Sequence, residues 1–140
     1  MRSRGTYVIG AVLLGVVFSS VVAVQPLELT IEAPPTLDAT AGRVREIDQA
    51  QLAAALALAG LEVPARVHIT LIPPNDPRAR QTPEWIVGRA FGAEQIEIFP
   101  DRVSSYPYDS LESVVRHEMV HLALAARAGG RPLPGRSREL

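Results

Sequence analysis

The chain has 140 residues, a formal net charge of −1, 47% hydrophobic and 21% charged residues, and no cysteine. That length suggests one domain with a modest core, and the charge balance excludes bulk attraction to nucleic acid or to anionic lipid. Without cysteine there is no disulfide framework and no thiolate metal site, so any zinc site must use histidines and carboxylates.

Arg2 and Arg4 precede an apolar run from Val8 to Val24 that ends at Pro26. Basic residues before such a run form either a secretory signal or an N-terminal membrane anchor, with Val21-Val22-Ala23 as a weak cleavage site. No Cys follows, which excludes a lipoprotein. On both readings residues 1–25 are a targeting segment and residues 26–140 are an exported domain. The basic residues are all Arg, which reads as coding bias rather than as a binding surface.

From Leu27 to Glu32 apolar and polar residues alternate, as in a half-buried strand, until Ala33-Pro34-Pro35 breaks the pattern. A helical pattern follows from about Val44 to Ala59, with Gly60 as its stop and Asp48 with Gln51 as a second start inside it. Arg66 to Ile72 alternates again and ends at Pro73-Pro74-Asn75-Asp76-Pro77. His68 falls on the polar side of that strand and reads as a solvated residue. Trp85–Phe91 and Gln95–Phe99 form the arms of a β-ribbon about the turn Gly92-Ala93-Glu94. Gly88 weakens the first arm and leaves room for another backbone, such as a peptide substrate. Arg102 to Tyr108 is a link.

The link leads into Val114-Val115-Arg116-His117-Glu118-Met119-Val120-His121-Leu122-Ala123, which contains H-E-x-x-H. Asp109 with Glu112 reads as a capping box, and Gly129-Gly130 before Pro132 as the stop. Leu111, Val115, Met119, Leu122 and Ala126 project towards a core, while His117, His121, Ser110, Val114 and Leu124 line a cleft. Ala125 and Ala128 are small enough to leave room nearby. Residues four apart on a helix share a face, about 5–6 Å apart at Cβ. The imidazoles of His117 and His121 can therefore close on one Zn²⁺ at about 2.0–2.1 Å. Glu118, about 100° round the helix, is out of line as a third ligand but within reach of a metal-held water, the place of a general base. A surface helix that carries two histidines by chance is disfavoured, because exposed helices rarely have so many apolar neighbours.

Together, Trp85-Ile86-Val87-Gly88-Arg89-Ala90, Ile96-Glu97-Ile98, Tyr106-Pro107-Tyr108-Asp109-Ser110-Leu111, the HEMVH helix and Gly129-Gly130-Arg131-Pro132-Leu133-Pro134 resemble the peptidase MA-like domain of the gluzincins, the thermolysin-type zinc peptidases. The resemblance spans about residues 61–134. It implies an α+β fold, a small β-sheet whose edge ribbon packs against the active-site helix. It also implies His117 and His121 as zinc ligands, Glu118 as catalytic base and a peptide or protein substrate. A metzincin would need Gly at position 124 and His at 127, where this chain has Leu124 and Arg127.

In relatives the Leu-Pro pair is followed by Arg-Trp-aromatic-x-Glu-Gly, whose Glu is the third ligand. Here Gly135-Arg136-Ser137-Arg138-Glu139-Leu140 follows, with Glu139 at the ligand's offset but without the aromatic residues or the Gly. The resemblance implies Glu139 as the third metal ligand; from its place at the end of the chain it is expected to be weakly engaged, in a chain that reads as a truncated product, a fragment or a frameshifted end. The expected function is a zinc-dependent metallopeptidase acting outside the cytoplasm. The alternatives are an inactive metal- or peptide-binding pseudo-peptidase tethered to the membrane and a structural envelope domain.

Overall fold

The computed structural model describes residues 26–105 and 110–129. The expectations for the targeting segment, for Asp109 and for Glu139 lie outside them. Among the described residues no helix is long and apolar enough to cross a membrane.

The fold is mixed α and β. Strand β1, Glu28–Glu32, is followed by a 3-10 turn at Pro35–Leu37 and by helices α1, Asp38–Arg45, and α2, Gln49–Leu58. Next come strand β2, Arg66–Leu71, a short helix α3, Pro77–Gln81, and strands β3, Gly88–Phe91, and β4, Gln95–Ile98. A second 3-10 segment, Pro100–Ser105, precedes α4, Leu111–Arg127. The four strands lie in the order β1-β2-β4-β3. β1, β2 and β4 run parallel and β3 is antiparallel to β4, so a ribbon forms one margin of the sheet.

Alternation along the strands separates two faces. Leu29, Ile31, Val67, Ile69, Leu71, Ile96 and Ile98 point to the side packed by α1, α2 and α4, whose Ala41, Val44, Leu52, Leu56, Val115, Met119 and Leu122 complete one core. The opposite face carries Glu32 with His68 and Arg89 with Glu97. There α3 adds a small second cluster of Ile72, Ala79 and Phe99. Each large apolar side chain removed from water contributes about 1.5–3 kcal/mol, so the inner face dominates stability.

Several expectations need correction. The helical pattern from Val44 to Ala59 is two helices, divided at the second start that Asp48 and Gln51 predict: Asp48 is extended at φ −66°, ψ 99°, and its carboxylate accepts from Gln51 N–H, starting α2 afresh. The first helix starts back at Asp38 and is tied down by Ala41 and Val44, both fully buried. Helix α3 has no apolar period; Pro77 at its first turn and the Asp76 cap onto Arg78 N–H start it. The first ribbon arm is strand only from Gly88, because Trp85 and Ile86 belong to a turn closed by Ile86 N–H on Pro83 O.

The cap of α4 among the described residues is Ser110. Its Oγ accepts from Ser113 N–H at 3.1 Å, and Glu112 pairs with Arg116. At the other end the helix gives way at Ala128 to Gly129 in the left-handed region, as the glycine stop predicts. Val114 lies with the buried set and not in a cleft, whereas Ala126 is exposed.

Candidate active site

Helix α4 is fixed along one side by Val115, Met119, Leu122 and Ala123, none of which retains measurable exposure. Its neighbours are β3 and β4 of the sheet and the 3-10 segment. This seating decides where the remaining side chains of the helix go.

His117 and His121, one turn apart, are brought together. Their rings meet edge to face, with centroids 4.7 Å apart and planes at 78°. The two Nε2 atoms approach to 3.1 Å. Such a contact needs one ring nitrogen as donor and the other as acceptor. Two nitrogens bound to one tetrahedral zinc at about 2.0–2.1 Å stand about 3.3 Å apart. The separation in this chain is close to that, and a neutral imidazole is the protonation state a metal requires. The donor pair therefore fits zinc as two of its ligands. Among the described residues no three His, Asp or Glu side chains converge, and Glu139 lies outside them.

Glu118 packs against the sheet. Its residue is 4% exposed, and its side chain lies between α4 and the marginal strand β3. The close approach expected at Gly88 is occupied by this helix and not by a substrate. A Cβ built on Gly88 would stand 2.9 Å from Glu118 Cγ, 3.1 Å from Glu118 Oε1 and 3.1 Å from Val114 Cγ1. The carboxylate thus occupies a slot that exists because residue 88 has no side chain.

His68 is not part of this arrangement. It lies on the opposite face of the sheet with Nε2 3.0 Å from Glu32 Oε2, the half-exposed strand residue expected from the alternation.

One organising residue escaped the sequence reading. Arg102, placed there in a link, directs its guanidinium at four backbone carbonyls, those of Pro83 and Ile86 at 2.9 Å, Ala79 at 2.7 Å and Thr82 at 3.3 Å. It also lies 4.4 Å over the Phe99 ring. The turn that delivers the chain into β3, including the exposed Trp85, is shaped by this one cation. No local signal marks it, since its acceptors are backbone atoms about twenty residues upstream.

Compared with known proteins, the chain matches no family model, no curated protein and no solved structure.

Proposed function

We propose that the chain is a zinc-dependent peptide hydrolase of the gluzincin type, acting outside the cytoplasm. The observation that carries this reading is the convergence of His117 Nε2 and His121 Nε2 at 3.1 Å on a helix that also lodges Glu118 against the sheet's marginal strand.

His117 and His121 would hold the metal, with Glu139 the third ligand that the family resemblance implies. Zinc, when bound, lowers the pKa of a coordinated water towards about 7 and polarises a carbonyl. The Glu118 carboxylate takes one proton and returns it to the leaving amine. Its slot against β3 restricts the orientations in which it does so. Strand β3 pairs with β4 on one side only, and among the described residues no strand covers its other edge. An extended peptide can add there through backbone hydrogen bonds, which places a scissile bond beside α4.

Metal analysis of dialysed full chain is expected to give near-stoichiometric zinc, lost in His117→Ala and in His121→Ala. Equal zinc in all three proteins would remove the site. Glu118→Gln is expected to keep the metal and abolish peptide hydrolysis. Zinc binding without hydrolysis in the unmutated chain would assign the pseudo-peptidase reading instead. Glu139→Ala tests the third ligand that the resemblance implies. A loss as large as that of His121→Ala would make Glu139 a full ligand. Export rests on Arg2, Arg4 and the Val8–Val24 run. A reporter fused after Leu140 that works only in the cytoplasm would contradict it.

A further inference from the structure

We propose that Gly88 is the positioning residue for the Glu118 carboxylate, its missing side chain being the space that sets where the carboxylate stands. The kinetic consequence rests on the hydrolytic reading above; the steric one does not.

Backbone conformation does not explain the glycine. Gly60, Gly92 and Gly129 have positive φ, whereas Gly88 does not, so its place in β3 is open to any residue on conformational grounds. Space is what excludes a side chain. Gly88 pairs with Ile98 across the ribbon and faces α4, where Val114 and Glu118 sit one turn apart. Both would be struck by a methyl group, at 3.1 Å and 2.9 Å.

Of the three parties to that collision, one can move. Helix α4 cannot withdraw without uncovering Val115, Met119 and Leu122, each with essentially no exposure. Val114 is β-branched and has one strongly preferred χ1 in a helix. Glu118 has three rotatable bonds and yields first. Restoring ordinary carbon–carbon separation of about 3.5 Å or more requires its Cγ to shift by about 0.6 Å or more. A misplacement of about 1 Å in a catalytic arrangement can cost roughly 100-fold in rate. A methyl at residue 88 therefore acts on turnover through Glu118, whose Cγ is the atom nearest to it, while zinc content reports separately on the two histidines.

The test compares Gly88→Ala, Val114→Ala and the double variant, all as full-length chain labelled with ¹³C-glutamate, the Glu118 carboxyl resonance being assigned by its loss in Glu118→Gln. In Gly88→Ala the expected results are a displaced Glu118 carboxyl resonance and a fall in kcat of about tenfold or more, with KM and zinc content within about twofold. Adding Val114→Ala vacates space for the new methyl, and both the resonance and kcat should return towards wild type. A merely structural role gives a loss of stability in Gly88→Ala with the Glu118 resonance unmoved, and the cavity left by Val114→Ala would add to that loss. An unmoved Glu118 resonance in Gly88→Ala, or a displacement that Val114→Ala leaves in place, overturns the proposal. If the unmutated chain hydrolyses no peptide, the enzyme reading fails while the resonance still decides the role of Gly88. Should Gly88→Ala not fold, Glu118→Ala in that background must restore the folded state by removing the obstacle; continued unfolding overturns the proposal equally.

Discussion

The two faces of the β3–β4 ribbon each shelter a carboxylate, and the two are handled differently. On the outer face Glu97 is gripped by guanidiniums: Arg89 reaches Oε2 at 2.7 Å and Arg78 reaches Oε1 at 3.4 Å. Arg89 also lies 4.8 Å over the Phe91 ring. On the inner face Glu118 lies against Gly88 and Val114, in sequence between two converging imidazoles. Both are largely withdrawn from water, with side-chain exposure of 16% for Glu97 and residue exposure of 4% for Glu118. Burial by itself thus does not distinguish a structural carboxylate from a chemical one. The neighbours do: Glu97 is held by two cations, while Glu118 is packed against a strand on the helix that carries the converging imidazoles, the setting the proposed hydrolase would use for a general base.

The sharpest way to break this comparison is to neutralise each carboxylate in turn. Glu118→Gln is expected to eliminate hydrolysis, whereas Glu97→Gln should leave kcat within about twofold; typical general-base contributions are about 10²–10⁴-fold. Equal losses in the two variants would mean that neither face is special.

Arg102→Ala should have the largest effect on stability. It leaves four carbonyls of residues 79–86 without their cation. A loss of about 2–4 kcal/mol in urea unfolding is expected. A loss below about 0.5 kcal/mol would show that the turn before β3 supports itself.

Glu97→Gln should cost less, about 1 kcal/mol, because Arg78 and Arg89 are partly solvated at 46% and 29% exposure. The cost should shrink in high salt. Salt-independent destabilisation would indicate lost packing rather than lost charge.

The smallest effect concerns acid. Arg78 beside Asp76 holds that carboxyl below its ordinary value of 3.8, chiefly through its side-chain hydrogen bond. The folded value being lower than the unfolded one, Asp76 stabilises the fold fully above the ordinary value. That contribution is lost as pH falls through the lowered folded value. Asp76→Asn should therefore flatten the acid limb of a stability–pH curve slightly and leave the neutral region parallel. A changed slope near neutral pH would point to a different group.

Much of this architecture is legible in the residues. Strands β1, β2 and β4 follow from alternation, because one face of each is buried and the other is wet. Helix α4 announces itself through a nearby cap, an apolar stripe and a glycine stop, all local. Its histidines are legible for the same reason, since an i, i+4 spacing on a helix is a distance. Helix α1 was not legible: it is eight residues long, includes Gly42, and owes its place to Ala41 and Val44 packing on the rest of the core.

The sequence by itself determined the helix, the pairing of His117 with His121 and the offset of Glu118 around the axis, because helical geometry depends only on the count of residues. Only the tertiary structure decided what that offset faces. An angle of about 100° on an isolated helix could open onto solvent, a cleft or a strand. The burial of Val115, Met119 and Leu122 turns the helix so that Glu118 meets β3 at Gly88, and Arg102 shapes the turn that leads there. Those contacts join residues sixteen to thirty apart, and spacing within one element carries no information about them.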